Sequence, residues 1–202
     1  GHDAAHGTAF DVPEKNHRLA FWLFLPSLSP EPLWVLGHNR LHHGFTSLTE
    51  RDWIWAPPTL EEFRAASLLG RANIIFSRHI SGFWWYYLSQ VWFPGMVKFE
   101  KWGWKNRKLQ VLLFFVGWSL TAFLLGGFLG WIFGVLIPFL LFQQTIATVV
   151  YLNHTHPRTK FFFSKEGWNM VEAQLRNSVT WSSPLWNFLL HNILLHTPHH
   201  VD

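Results

Sequence analysis

Histidine is the residue of this sequence best suited to chemistry, and it occurs in three closely spaced groups. On a helix, residues three or four apart share a face, so each group can direct two imidazoles at one point. A histidine that directly follows another projects about 100° away and can reach a neighbouring ion. Eight imidazoles in three groups fit two metal ions better than one. The groups are His2 with His6, His38 with His42 and His43, and His196 with His199 and His200.

Weaker candidate ligands lie outside these groups. His154 and His156 stand where a long apolar segment ends, and His191 with Asn192 leads into the last group. Asp3, next to His2, either orients a ligand imidazole or solvates a helix end, and the sequence favours neither role. We expect His17 and His79, which match no group, to be structural.

Composition excludes several other kinds of active site. The 202 residues contain no cysteine, so disulfides, thiolate catalysis and cysteine-ligated metals are excluded. One Glu-x-x-His motif is too few for a ferritin-like di-iron bundle, and no His-Glu-x-x-His zinc motif occurs. Imidazole alone suits zinc, copper, iron and nickel. Without a recognisable nucleophile, the histidines favour redox chemistry at a metal.

The elements that carry these histidines are predicted to be helices in and on a membrane. Only 14% of the residues are charged, and 109–152 contains no Asp, Glu, Lys or Arg. Forty-four helical residues would span roughly 66 Å, about twice a hydrocarbon core of ~30 Å. We therefore predict an all-α, polytopic membrane protein with a transmembrane hairpin at about 109–152, turning near Gly126, Gly127 and Gly130, and a cytoplasmic, histidine-rich helical cap.

Flanking charge predicts the orientation of this hairpin. Basic residues precede it (Lys98, Lys101, Lys105, Arg107 and Lys108) and follow it (Arg158, Lys160 and Lys165). The positive-inside rule then places both ends, and every histidine group, in the cytoplasm. The net charge of +4 fits anionic lipid, and because no basic stripe alternates with exposed aromatics we expect no nucleic acid partner.

Shorter segments are predicted to lie at the membrane surface. Residues 19–25 are too short to cross and are followed by prolines, which indicates an interfacial or re-entrant piece. Residues 74–96 are predicted to form one amphipathic helix in the headgroup region. A short helix over 60–69 is expected to have Thr59 as its N-cap. Because the sequence opens at Gly1 without Met and ends just after a histidine pair, we expect a single domain over 1–202, truncated at both ends.

The order and spacing of the three groups resemble the histidine boxes of the membrane fatty acid desaturase and hydroxylase superfamily. The segment 151–157 (YLNHTHP) looks like the YLQHTHP segment of omega-6 (delta-12) desaturases. The segment 38–52 (HNRLHHGFTSLTERD) is similar to the second-box region of bacterial acyl-lipid desaturases. These likenesses cover nearly the whole chain.

The resemblance implies two iron ions, O2 as co-substrate and desaturation of fatty acyl chains linked to lipid, CoA or carrier protein. It also implies an electron donor such as ferredoxin or cytochrome b5, and contact with membrane lipid. It carries the ligand role to the eight box histidines and favours His154 over His156 as a ninth. Three residues separate His38 from His42, as in alkane hydroxylases, so a hydroxylase or ketolase acting on alkanes, sterols or carotenoids remains open. A non-enzymatic metal carrier is the remaining alternative.

Overall fold

The computed structural model describes residues 1–98 and 105–201, and the regular secondary structure in these ranges is helical. No strand is present in them, although Leu48 with Phe162 and Thr180 with Leu195 form isolated bridges. The all-α prediction is confirmed, while Lys101, used above for orientation, lies outside the described residues. The α-helices of the described ranges are α1 (His2–Ala5), α2 (Pro13–Phe24), α3 (Glu31–Val35), α4 (Leu60–Ala65), α5 (Leu68–Ser77), α6 (Phe83–Tyr86), α7 (Phe93–Lys98), α8 (Lys105–Trp131), α9 (Ile137–His154), α10 (Met170–Arg176), α11 (Pro184–Leu189) and α12 (His196–Val201).

Short 3₁₀ and π-helical segments join several of these helices. The 3₁₀ segments are Leu25–Ser27, His43–Phe45 and Ile80–Gly82, and the π-helical segments are Leu36–His42, Tyr87–Trp92 and Ile132–Leu136. π-Helical turns are rare and concentrate at functional sites. The first of these segments carries two histidines of the second group, His38 and His42.

The described chain divides into two compact units. The first consists of 1–39, 92–98 and 105–143, and the second of 40–91 and 144–201. In the first unit, α1 packs on α2 and α3 through Ala4, Ala5, Ala20 and Phe24. Buried Asn16 secures the loop between α1 and α2, because its amide donates to the carbonyls of Gly7 and Phe10.

The long apolar segment of the first unit turns back on itself inside α8. Gly126 and Gly127 are non-helical, and Gly127 has φ +60°, a conformation that glycine adopts without steric cost. A Cβ added at Gly130 would lie 2.5 Å from the carbonyl oxygen of Ala122. Eight residues of straight helix would separate these positions by about 12 Å, so the chain reverses direction here.

The stretch Arg107–His154 is long and apolar enough to cross a membrane, and its most apolar 18-residue window has a mean hydropathy of 2.2. Pro13–Ser27 and Glu31–Phe45 meet that criterion only together, as a pair joined by a sharp bend. Residues 19–25 fall in this bent pair, which can be one broken span or a re-entrant loop, so the predicted interfacial or re-entrant piece stays a prediction. The hairpin boundaries at about 109–152, the multi-pass topology and the cytoplasmic cap stay predictions.

Replacing Gly130 with alanine is expected to lower thermal stability in detergent. Because its Cβ would press on the Ala122 carbonyl, the cost should be about 1–3 kcal/mol, as for other overpacked sites. Gly117→Ala is the matched control on the same hairpin, since a Cβ there meets nothing within 4 Å. Equal melting temperatures for the two variants would contradict the close approach.

The core of the second unit is aromatic. The hydroxyl of buried Tyr86 accepts a hydrogen bond from the amide of Ala56, and Arg78 lies over the Tyr86 ring while donating to the Ala56 carbonyl. Burial raises the pKa of Tyr86 to about 12, so this hydroxyl stays protonated. Its cluster consists of Ile54, Trp55, Phe83, Tyr86, Val91 and Ala147.

Two predicted helices differ from the structure in their extent. Thr59 does cap a helix, and it forms a reciprocal capping box with Glu62, but that helix ends at Ala65 and Ser67 caps the next one. The single helix predicted over 74–96 is wrong, because the chain breaks between Ser77 and Ile80. The reason is packing: Gly82 lies against the backbone of Phe76, where a Cβ would be 2.0 Å from the carbonyl oxygen.

Candidate metal centre

Three predicted ligands meet in the first unit. His2 and His6, at the two ends of α1, face His38, and ring centroids lie 4.7 Å apart for His2–His6 and 5.2 Å apart for His6–His38. One ring nitrogen of each lies within 4.8 Å of those of the other two. The side-chain amide of Asn39 donates to the Ala5 carbonyl at 2.9 Å and so ties His38 to α1. We call these three residues the first-unit triad.

An indole and a carboxylate fix the orientation of the triad. Trp34 stacks on His38 with centroids 4.2 Å apart and presents its edge to His2 at 5.4 Å. Asp3 Oδ1 lies 3.0 Å from His2 Nδ1, where the orienting role considered for Asp3 would require it. Burial lowers the pKa of His6 to about 4, so the imidazole is neutral and able to coordinate at pH 7.

Four further histidines converge in the second unit. His154 Nε2 lies 3.2 Å from His42 Nε2, 2.7 Å from His196 Nε2 and 3.4 Å from His200 Nε2. All four side chains are buried. They come from distant parts of the sequence. His42 ends a π-helical segment, His154 is the last residue of α9, and His196 and His200 lie four residues apart on α12. We call them the second-unit tetrad.

The outward-facing Nδ1 atoms of the tetrad all meet oxygen atoms. His42 Nδ1 lies 3.0 Å from Asp52 Oδ1, and His154 Nδ1 lies 3.1 Å from the Asn177 carbonyl. The other two contacts join His196 Nδ1 to the Ile193 carbonyl at 3.3 Å and His200 Nδ1 to Gln174 Oε1 at 3.0 Å. Carbonyl and carboxylate oxygens only accept, so each Nδ1 carries the proton and each Nε2 presents a lone pair.

This arrangement fits a metal ion. Four Nε2 lone pairs directed at one point repel one another, and a cation at that point removes the repulsion. With metal–nitrogen bonds of about 2.1 Å, neighbouring ligand atoms are about 3.0 Å apart at 90° and about 3.4 Å apart at the tetrahedral angle. The observed separations of 2.7–3.4 Å lie around the 90° value, and the shortest is about 0.3 Å below it. Outer oxygen partners of this kind are typical of metal-bound histidines.

Burial keeps two histidines of the tetrad, His196 and His200, neutral. The pKa values of His196 and His200 lie well below the ordinary value, chiefly because burial disfavours the charged imidazolium and secondarily because the other histidines repel it. Metal ions coordinate the unprotonated imidazole, so the site is ready to bind at neutral pH.

His43 and His199 lie beside the tetrad. The His43 ring stacks on His200 with centroids 4.2 Å apart, and it meets the edge of His199 at 4.6 Å. Gln174 connects these elements, because its Nε2 donates to the His43 carbonyl while its Oε1 faces His200. The ligand role predicted for His43 and His199 stays a prediction.

Three weaker candidates lie outside both clusters. His156 is half-buried and its Nδ1 accepts from the Arg158 amide, and the preference for His154 as the ligand stays a prediction. His191 and Asn192 are exposed, with φ of 50° and 61°, in the turn before α12. His17 pairs with Glu31 at 2.8 Å, in agreement with its predicted structural role.

The sequence reasoning missed the residues that support the tetrad. Asp52 is buried, and besides His42 it accepts from the amides of Ser47 and Ile54. Gln174 is also buried and reaches its partner across 26 residues. For Asp52 the one available signal was its position, since it is an acidic residue closing the segment that resembles the second box. Nothing in the local pattern distinguishes Gln174.

Comparison with known proteins agrees with the arrangement of histidines described above. The family model for fatty acid desaturase matches residues 1–202. The chain is 30% identical to an omega-6 fatty acid desaturase, chloroplastic, of Glycine max, over all of this chain and 48% of that protein. It is 31% identical to the corresponding protein of Arabidopsis thaliana, over all of this chain and 46% of that protein.

A cyanobacterial protein shows the same likeness. The sn-1 oleoyl-lipid 12-desaturase of Synechocystis sp. is 29% identical over all of this chain and 58% of its own length. The chain thus spans about half the length of the relatives it matches. The match over every residue, including both histidine clusters, means that the chain belongs to the fatty acid desaturase family.

Proposed function

We propose that the protein containing this chain desaturates fatty acyl chains with O2 at two histidine-bound iron ions. The observation that carries the proposal is the second-unit tetrad, in which four buried Nε2 atoms face one point while every Nδ1 is held from outside. All-nitrogen ligation with no cysteine in the chain suits a redox-active first-row metal. The family membership supports iron, and the names of the relatives support a fatty acyl substrate.

Two groups of ligands correspond to two ions. The triad supplies His2, His6 and His38, and the tetrad supplies four imidazoles. His43 and His199 complete the predicted set of nine. Bound iron would supply the oxidising power needed to attack an unactivated C–H bond. The overall reaction removes one hydrogen from each of two adjacent carbons and reduces O2 to two waters, with two electrons and two protons from a donor.

The chain's own residues orient and shield this centre. Asp52, Gln174 and the carbonyls of Asn177 and Ile193 hold each imidazole in one tautomer. Burial of the four rings excludes water, which limits unproductive reduction of O2.

The membrane placement belongs to the same proposal. The hairpin surface is apolar and exposed, with Leu125 85% and Phe133 66% accessible, which is costly in water and favourable in lipid. The protein is then integral and multi-pass, with the histidines on the cytoplasmic side as the flanking basic residues predict. The substrate is an acyl chain carried by lipid, CoA or carrier protein, and the donor is a small electron-transfer protein such as ferredoxin or cytochrome b5.

Mass-spectrometric profiles of membrane acyl chains test the activity in cells that express the full-length protein. We expect new double bonds with the wild type, no product with His200→Ala and near-normal product with His191→Ala, because His191 is exposed and outside the clusters. Immunoblots of membranes check that all three proteins accumulate equally. Hydroxylated chains would indicate a hydroxylase, and an unchanged profile would contradict acyl-chain oxidation.

A further inference from the structure

Residues 155–169, which join α9 to α10 in the second unit, form an exposed and basic segment. Its charged residues, one acidic and three basic, are Glu166, Arg158, Lys160 and Lys165, and all four are exposed. Neither Arg158 nor Lys165 forms an ion pair with a described residue. The Lys160 ammonium lies over the Phe162 ring, 4.7 Å from its centroid. The positive charge of this surface is therefore available to a partner. We call residues 155–169 the basic segment.

The backbone of the basic segment is fastened to the group that orients His154. The Lys160 amide donates to Asn177 Oδ1 at 3.0 Å, and Asn177 Nδ2 donates to the Lys160 carbonyl at 2.9 Å. The backbone carbonyl of the same Asn177 accepts from His154 Nδ1 at 3.1 Å. One residue therefore separates the exposed lysine from a candidate metal ligand, and hydrogen bonds hold that path in place.

A second connection leads from the basic segment to His200. Trp168 Nε1 donates to the Thr46 carbonyl at 3.1 Å, and the indole stacks on Phe45 with centroids 5.8 Å apart. The Thr46 hydroxyl lies 3.3 Å from His200 Nδ1. Trp168 is half-buried, so this path also begins near the surface. The basic segment thus reaches two histidines of the tetrad, each through a single residue.

These connections suit the delivery of electrons. The proposed reaction reduces O2 to two waters, and of the four electrons required two come from the substrate and two from a donor. Because electron transfer weakens steeply with distance, a donor must dock where few atoms separate it from the ligands. The tetrad rings are buried, so the basic segment offers a short indirect route to them. Complexes of electron-transfer proteins are typically small in area and depend on complementary charge, so a positive segment selects an acidic partner.

We propose that the basic segment is the docking surface for an acidic, one-electron carrier protein, whose electrons reach the tetrad along the two connections described above. The inference rests on the proposed function and adds the surface and the charge of the donor. At each of two visits the carrier is oxidised by one electron, which supplies the two electrons required, while two protons come from solvent.

An anionic membrane surface would also attract these charges, but a protein partner agrees better with the rest of the segment. Lipid headgroups would neutralise Arg158 and Lys165 without any use for the connections to His154 and His200. Phe163, 51% exposed, lies between the basic residues in sequence. An apolar side chain surrounded by charged ones is the usual composition of a protein interface.

The rate of electron transfer tests the docking surface, with full-length protein in phosphatidylcholine nanodiscs and reduced plant-type ferredoxin as the acidic probe. Combining Arg158→Glu with Lys165→Glu should lower the second-order rate constant of ferredoxin oxidation about tenfold at low ionic strength. The difference should nearly vanish at about 1 M salt, where the screening length is about 3 Å. Arg18→Glu with Arg64→Glu is the matched control, because it changes the net charge equally at exposed positions outside the segment. It should react within about twofold of the wild type, since these charges do not face the docked partner.

Equilibrium binding of oxidised ferredoxin to the same nanodiscs, together with metal content, separates this inference from the proposed function. Weaker binding by the segment variant with normal metal content supports the docking surface. Binding that depends on Arg158 and Lys165 in a wild-type protein without iron would contradict the proposed metal centre and leave the docking surface standing. Equal rates and equal ferredoxin binding in the two double variants would overturn the inference. If, in addition, phosphatidylglycerol raised the melting temperature of the wild type but not of the segment variant, the segment would contact the membrane instead.

Discussion

Substituting His154 with alanine is expected to lower the metal affinity of the second-unit tetrad by more than a hundredfold. Its Nε2 lies within 3.4 Å of the Nε2 atoms of His42, His196 and His200, so it neighbours each of the other three candidate ligands. Loss of an outer partner of a metal ligand typically costs about 10–100-fold in affinity, and loss of the ligand itself should cost more. Competition with a chromophoric chelator measures the change on purified protein loaded with Fe(II).

His156→Ala is the matched control for this experiment. His156 lies two residues further along, on the same exit from α9, but its Nδ1 accepts from the Arg158 amide outside the tetrad. Its removal should change metal affinity by less than twofold. Equal losses in the two variants would mean that the substitutions disturb the segment as a whole, and unchanged binding in His154→Ala would refute the tetrad as a metal site.

Spacing alone predicted the candidate ligands but could not assign them to clusters. His38 and His42 are four residues apart, yet the first belongs to the triad and the second to the tetrad. Four residues of helix rise about 6 Å, enough for two rings on one face to serve different ions. The equally spaced His196 and His200 stay together, with centroids 4.7 Å apart. Which outcome occurs depends on what packs opposite the helix, and that information is not local.

The groups that contact the outward-facing Nδ1 atoms of the tetrad could not be predicted from the sequence, for the same reason. Asn177 holds His154 through its backbone carbonyl, a group that every residue possesses, so side-chain identity gives no signal. Gln174 lies on α10 and Ser178 lies one turn later, just beyond the end of that helix. Nothing in the sequence marks either as a supporting residue, because their role depends on the packing of α12 beside them. By contrast the Thr59 cap was recognisable, because a capping box is completed within four residues.

The ends of the helices could likewise be predicted where their cause is local in the sequence, and not where it is a distant contact. The turn of the hairpin was predicted because Gly126 and Gly127 are consecutive and backbone freedom is a property of the residue itself. The break near Arg78 was missed because the 74–96 segment has continuous helical periodicity. There the chain turns so that Tyr86 can bury its ring beneath Arg78, a contact eight residues apart that no periodicity reveals.

The second large effect is expected at Asp52, which touches no metal itself. Asp52→Asn should weaken metal binding by the tetrad about 10–100-fold, as for other outer partners of ligand histidines. Asp52 Oδ1 accepts from His42 Nδ1 and the Ile54 amide, while Oδ2 accepts from the Ser47 amide. An amide group cannot fill both positions, because its NH2 would face one of these donors.

Asp52→Asn should weaken metal binding through the loss of charge as well as through the loss of hydrogen bonds. A divalent ion held by four neutral imidazoles brings two positive charges into a buried site, and buried charge requires a partner. The Asp52 carboxylate is the acid in contact with a tetrad ligand, and it is itself buried. Removing its charge therefore weakens the bound state more than the metal-free state, so the defect should appear in metal affinity more strongly than in melting temperature.

A charge-matched control separates this role from general electrostatics. Glu50, two residues earlier, is exposed, and Glu50→Gln removes the same charge without touching His42. It should bind metal as the wild type does. Asp52→Ala, which leaves the Ser47 and Ile54 amides without their acceptor, should in addition lower the free energy of unfolding of the metal-free protein by about 1–3 kcal/mol. Normal metal binding by Asp52→Asn would contradict this role. The Asp52 carboxylate would then stabilise only its own loop, and the orientation of His42 would result from packing within the tetrad.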